Sequence, residues 1–205
     1  MIAIIDYGMG NLGSVRNMLR RIGADAHITA DPELLGRADK LILPGVGSFD
    51  EGMRSLRACP FLPLVQRRVL EERVPVLGIC LGMQLFARGS EEGGLPGLGW
   101  LPADVLRLRP RPGLPVPHMG WNLLEPAPLQ APLQTLLRDL PADARFYFAH
   151  SYRLACDDAA DVAAWTRYGE DFPAVVSRGN LLGTQFHPEK SLNAGMKVLN
   201  NFAAL

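Results

Sequence analysis

A thiol flanked by glycines, Gly78-Ile79-Cys80-Leu81-Gly82, closes an apolar run that begins at Val74. The pattern is the cysteine counterpart of G-x-S-x-G, in which a nucleophile occupies a strained strand-to-helix turn and the glycines let neighbouring backbone pass close by. There Cys80 would stand at a helix N-terminus, whose partial positive charge favours thiolate over thiol. Free cysteine is also among the most buried residue types, so the thiol alone leaves catalysis and core packing both open. A base decides between them. Among His27, His118, His150 and His187, the last lies in "QFHPEKS" after an apolar run, where Pro188 keeps it extended. Side chains two apart on extended chain share a side, so Glu189 can hold the imidazole in one tautomer and stabilise its cation. Nucleophile, base and orienter are the equipment for acyl transfer through a covalent intermediate. A metal-ligand fragment is the other reading of H-P-E, yet no third ligand follows at a characteristic spacing.

A further signal is "LPGVGSF", Leu43 to Phe49, after the apolar run "KLIL". Gly45 and Gly47 allow backbone N–H groups to turn towards a ligand, as an oxyanion hole requires, with the N–H of Leu81 as the second donor. A simple turn would use the same glycines. Position favours the functional reading, because both loops follow strands whose carboxyl ends gather ligand sites in an open sheet.

The elements that must hold these groups read as alternating strands and helices. "IAIID" is a short strand, followed by Leu12, Val15, Leu19 and Ile22 at helical spacing up to Gly23. "AHIT", "KLILPG" and "VPVLGI" continue as strands, separated by helical segments around 31–39 and 50–72. The alternation predicts an α/β fold with a mainly parallel sheet covered on both faces. Beyond about residue 100 the strand-like runs crowd together, predicting an added antiparallel or mixed portion. "RPRPGLPVP" (109–117) reads as a surface excursion. A last helix is expected to carry Leu192, Met196, Leu199 and Phe202 on one side. The whole of 1–205 reads as one domain.

Lys plus Arg (21) equal Asp plus Glu (21), so no net field favours nucleic acid or an anionic membrane. The longest apolar stretch, Val74 to Ala87, is too short to span a bilayer. The start "MIAIIDYG" has no basic region or cleavage-type site, and a cytoplasmic location is expected. Three cysteines, Cys59, Cys80 and Cys156, form no CxxC pair, which argues against a disulfide framework or a zinc site. No metal or cofactor is called for.

"PGVGSF", "GICLGMQ" and "QFHPEKS" resemble the class I, triad-type glutamine amidotransferases. Adding "YGMGN" (7–11), "PHMGWN" (117–122) and "FYFAHSY" (146–152), the chain is similar to the branch that forms the glutaminase subunits of imidazole glycerol phosphate synthase, in histidine biosynthesis. The proline-rich insert departs from the compact family pattern. The resemblance implies a flavodoxin-like sheet and hydrolysis of glutamine to glutamate and ammonia. Cys80 would attack the side-chain amide, His187 would transfer protons and Glu189 would orient it. Val46 or Gly47, with Leu81, would stabilise the oxyanion by roughly 3 kcal/mol per donor. Gln84 and the backbone of Ser151 and Tyr152 would hold the glutamine. The resemblance also implies a (β/α)8-barrel cyclase as partner in a heterodimer, met through Asn11, Trp121, Tyr147 and Lys190, with the loop Gly45 to Gly47 switching when that partner is occupied. His118 and His150 would shape the contact.

A rival is the order Gly8-x-Gly10-x-x-Gly13 between strand and helix, a dinucleotide fingerprint, with Asp25 or Asp31 for a ribose. That reading leaves Cys80, His187 and Glu189 without a purpose. A non-catalytic module would be marked by loss of one of those groups, and all are present. Another cysteine hydrolase, such as a peptidase, is disfavoured by the downstream H-P-E and the partner-like segments.

Overall fold

The computed structural model describes residues 1–127 and 135–205. The first part alternates strictly: β1 (Ile2–Ile5), α1 (Leu12–Arg21), β2 (Ala26–Thr29), α2 (Pro32–Arg37), β3 (Lys40–Gly45), α3 (Phe49–Ala58), α4 (Leu62–Leu70), β4 (Val76–Cys80) and α5 (Leu81–Gln84). The second is strand-rich: β5 (Ala103–Arg107), β6 (His118–Leu123), β7 (Glu125–Pro126), β8 (Arg145–His150), β9 (Tyr152–Cys156), β10 (Val162–Arg167), β11 (Asp171–Arg178) and β12 (Leu181–Thr184). A final helix, α6 (Leu192–Ala203), ends the series.

The main sheet runs β2-β1-β3-β4-β12-β11-β10-β7. Its first five strands are parallel, and the last three are joined antiparallel. The parallel order is that of a flavodoxin-like sheet. Successive side chains on a strand face opposite ways, and here both faces are covered. Ala3, Ile5, Leu41, Leu43 and Val76 pack with residues of α2, α3 and α4. Ile2, Ile4, Ile42, Leu77 and Ile79 pack with Val15 and Leu19 of α1 and Val198, Leu199 and Phe202 of α6. Each of the larger of these side chains, taken fully out of water, contributes roughly 1.5–3 kcal/mol.

The expected added portion consists of β7, β10 and β11 together with two antiparallel ribbons, β5–β9 and β6–β8. "RFYFAHSYRLA" is one run in sequence and two strands in space, because the chain changes partners at Ser151. Residues 109–113 of the proline-rich stretch are exposed, as expected. Among the described residues no helix is long and apolar enough to cross a membrane.

Three expectations are corrected. The segment 50–72 is two helices, because Pro60 has no N–H to donate and Cys59 before it is extended (φ −78°, ψ 122°). The elbow helix is a single turn, Leu81–Gln84, after which Phe86 and Ala87 donate to Met83 and Gln84 in the tighter i to i+3 pattern. In α6 the buried stripe is Gly195, Val198, Leu199 and Phe202. Leu192 instead stands 69% exposed with φ +50°, and Met196 is half-buried.

Candidate active site

β3, β4 and β12 lie side by side, and the loops after their carboxyl ends converge on one cavity of about 250 Å³. Val46 and Gly47 reach it from β3, Cys80 and Leu81 from β4, and His187 from β12.

Cys80 holds φ +53° and ψ −111°, a conformation that costs a non-glycine residue of order 1–3 kcal/mol. The two flanking glycines explain how the turn is tolerated. A Cβ on Gly78 would lie 2.6 Å from the Met83 backbone, and one on Gly82 would overlap the carbonyl oxygen of Leu43. Any side chain at either position would force the elbow off the sheet. With one turn of helix behind it, the sulfur gains little from a helix dipole. Its cationic neighbour is His187.

His187 leaves β12 extended, its backbone N donating to Tyr147 O at 2.9 Å. The Ser191 hydroxyl donates to His187 O at 2.6 Å and accepts from Tyr147 N at 2.9 Å, tying the turn to β8. Gly195 completes the support, since a Cβ there would overlap the Pro188 carbonyl. Nδ1 of His187 bonds Glu189 Oε1 at 2.9 Å, which leaves Nε2 for the sulfur. Burial pulls the imidazole down, but hydrogen bonds to Cys80 and Glu189 and their charges outweigh it and hold it up at about 10. The ring is therefore a cation at neutral pH.

Thiol, imidazole and carboxylate are thus brought together, although they come from distant parts of the chain. Gly47, at φ +106°, and half-exposed Val46 line the cavity beside Leu81. Gly45 lies beneath, paired in register with Cys80, where a Cβ would meet Gly82 N at 2.6 Å. Gln84, Ser151 and Tyr152 also line the cavity. Gln84 Nε2 is committed to Tyr152 O and Gln185 Oε1, both at 2.9 Å, so only its oxygen can serve a ligand as acceptor.

Of the expected contact residues, Trp121 is 46% exposed and meets Tyr147 edge-on at 5.9 Å between ring centres. Lys190 Nζ lies 5.6 Å over the Tyr147 ring. Met119 and Leu123 extend this apolar face along β6. Asn11 precedes α1 and makes no side-chain capping bond. His118 and His150 are buried and bonded to each other at 3.1 Å, and His27 pairs with Asp25 at the surface.

In the glycine loop after β1, Gly10 is pressed against protein while Gly8 and Gly13 have open space around them. A Cβ on Gly10 would stand 3.1 Å from Pro44, while Asp31 caps α2 and Asp25 holds His27. Gly10 lets this strand-to-helix connection pass close to β3, as the structural alternative to a dinucleotide site requires.

Sequence reasoning missed Glu92 and Gln185. Glu92 lines the cavity and accepts from Phe49 N at 2.8 Å. No local pattern marks it. Gln185 sits two residues before His187, so the same alternation that selects Glu189 would have found it.

The model of the glutamine amidotransferase class-I family matches residues 3–204. The chain belongs to this family. The amidotransferase is 48% identical to imidazole glycerol phosphate synthase subunit HisH 2 of Methanococcus maripaludis, over 98% of each chain. It is 46% identical to the HisH 2 subunit of Pseudomonas aeruginosa over the full length of both. Its fold is shared by a solved glutamine amidotransferase at TM-score 0.72 and 22% identity, covering both chains completely. A glutamine amidotransferase from Thermotoga maritima gives TM-score 0.63, at 20% identity, over 92% of this chain and 75% of that one. The sequence-derived assignment to a class I amidotransferase with a flavodoxin-like sheet therefore holds.

Proposed function

We propose that the chain is the glutaminase of an imidazole glycerol phosphate synthase, a single domain working in the cytoplasm with a (β/α)8-barrel cyclase as partner. The observation that carries the reading is His187, bonded to Glu189 at 2.9 Å, facing the same cavity as the Cys80 sulfur and the Val46-Gly47 loop.

Glutamine enters with its side-chain amide over the sulfur. Its α-ammonium meets the Glu92 carboxylate and Gln84 Oε1, and its α-carboxylate meets the N–H groups of Ser151 and Tyr152. The Cys80 thiolate forms a bond to the amide carbon, and the oxyanion turns to the N–H groups of Leu81 and of Val46 or Gly47. The C–N bond breaks, and the leaving nitrogen takes the proton from His187, giving neutral ammonia and a glutamyl thioester. Water then attacks the thioester carbon and gives its proton to His187. The S–C bond breaks, releasing glutamate and restoring thiolate and imidazolium. Glu189 keeps the ring oriented and its cation compensated throughout.

Ammonia released into neutral water becomes ammonium, which has no lone pair for attack. A synthase must therefore receive it directly, and the apolar face at Trp121, beside the cavity, suits a docked partner. There the ammonia would open a phosphoribulosyl-formimino carboxamide nucleotide to imidazole glycerol phosphate and an aminoimidazole carboxamide nucleotide.

The test is glutamate release from glutamine, measured with and without the cyclase and its nucleotide ligand. Release that the cyclase stimulates, and that Cys80→Ala abolishes while still forming the complex, is the expected result. Unchanged turnover in Cys80→Ala would overturn the assignment of the thiol, and turnover indifferent to the cyclase would overturn the partner.

A further inference from the structure

Behind the sulfur, Gln185 and the amino end of Gln84 form a chain of hydrogen bonds that the reaction above does not use. Gln185 is 0% exposed, on the extended chain leaving β12. Its Nε2 donates to Cys80 Sγ at 3.6 Å, and its Oε1 accepts from Gln84 Nε2 at 2.9 Å. The remaining proton of the Gln84 amide goes to Tyr152 O at 2.9 Å. That carbonyl also accepts from His150 Nδ1 at 2.8 Å, and His150 Nε2 meets His118 Nδ1 at 3.1 Å.

Chemistry gives this chain one direction. A carbonyl oxygen only accepts, so His150 carries its proton on Nδ1 and offers Nε2 to the N–H of His118. Burial pushes His118 down to about 4; it pushes His150 down to about 3, against the bond to Tyr152. Both rings are therefore neutral at pH 7 and keep these roles. Both protons of Gln84 are spent, so Gln185 must turn its oxygen to Gln84 and its amino group to the sulfur. The network thus ends in a donor aimed at the sulfur, a bond that strengthens when sulfur carries negative charge.

We propose that Gln185 is a positioning residue for the glutaminase reaction, holding the sulfur in its attacking orientation, with Gln84 fixing which end of the amide faces it. The proposal rests on Cys80 being the nucleophile. The Gln185 bond favours one staggered position of the Cys80 side chain, in the cavity that His187 also lines. The other titratable groups around the sulfur are Glu189, behind His187, Tyr7, and Glu92 on the wall of the cavity. None of them is bonded to Gln185.

Two substitutions separate positioning from space filling, tested in the full chain with its synthase partner. Gln185→Met preserves length and removes the donor. Glutamate release should fall about tenfold in kcat with KM for glutamine unchanged, and iodoacetamide alkylation of Cys80 should slow in step. Gln185→Glu preserves shape and the oxygen that Gln84 needs, but faces the sulfur with a carboxylate, and should lose about a hundredfold. A space-filling role predicts the reverse order, since Glu matches Gln in shape and Met does not. Glu milder than Met, or Met at the native rate, overturns the proposal. Where circular dichroism shows Gln185→Glu unfolded, kcat and alkylation in Gln185→Met decide alone. Cys80→Ala run alongside keeps the failures apart: activity there sinks the nucleophile, whereas an inactive Cys80→Ala with a native-rate Gln185→Met sinks only Gln185.

Discussion

Nδ1 of His187 stands 2.9 Å from Oε1 of Glu189, with the two side chains only 3% and 2% exposed. A pair so removed from water is costly to break, because Glu189 alone would be a buried charge without a partner and His187 would keep only the Cys80 sulfur. The second oxygen of Glu189 has no hydrogen-bond partner among the described residues, so its interaction with His187 is all the more decisive.

Glu189→Gln should therefore change the response to pH as well as the rate. In the native chain His187 titrates near 10 against an ordinary 6.5. It thus contributes stability that is complete below about pH 6.5 and is lost as pH rises towards 10. In the variant that decline should flatten, read from urea midpoints across the range, and glutamate release should fall by roughly a hundredfold or more. A native slope in the variant would contradict the pairing.

The buried histidines act in the opposite sense. His118 and His150 are held down by burial, so their contribution is complete above about pH 6.5 and is lost on acidification towards 4. His118→Phe keeps a ring stacked on Tyr168, now 4.0 Å away, and removes one site of proton uptake. Urea midpoints of the variant should fall less steeply between those two pH values.

At Cys80 the backbone strain separates stability from chemistry. With φ at +53°, Cys80→Gly should be more stable than Cys80→Ala by about 1 kcal/mol, with both inactive. Chemical denaturation of the two variants measures the difference directly. Equal stability would mean that the elbow is not strained.

Gly195→Ala introduces a methyl where α6 rests on the Pro188 carbonyl. Overpacking of this kind costs about 1–3 kcal/mol, and here it pushes on the turn carrying His187 and Glu189. A lowered melting temperature together with a lowered kcat is expected. A stability loss with native kcat would show that α6 does not control the turn.

Trp121→Ala removes the largest exposed ring on β6. Complex formation with the proposed cyclase should weaken by about 2 kcal/mol, near thirtyfold, while the melting temperature of the isolated chain stays unchanged. Calorimetric titration of one subunit into the other gives the comparison.

Much of this arrangement is legible where the signal is local. Gly78 and Gly82 announce the elbow because close packing there excludes any side chain. His187 and Glu189 announce themselves because alternation along an extended chain places both on one side. The central parallel strands β1, β3 and β4 are equally plain, being apolar on both faces. What escapes is whatever depends on distant pairing. Glu92 joins the site through Phe49, and His118 meets His150 only through the register of β6 with β8. Helical spacing alone also leaves Leu192 and Val198 as competing core residues. Leu192 shares the face of Gly195 and Leu199 by spacing, but it opens the helix with φ +50°, outside helical geometry, and stays exposed.

The ladder that pairs Gly45 with Cys80, and Thr184 with Ile79, has a consequence for how such a chain can vary. Neighbouring strands lie about 4.8 Å apart, so lateral spacing at the three tips is inherited from the hydrogen-bonded frame. Deleting one residue inside β12 would draw its tip back by about 3.3 Å and reverse which way the following side chains point. Point substitutions on the outer surfaces are tolerated by such a frame, whereas length changes within these three strands are forbidden to any descendant that keeps the chemistry.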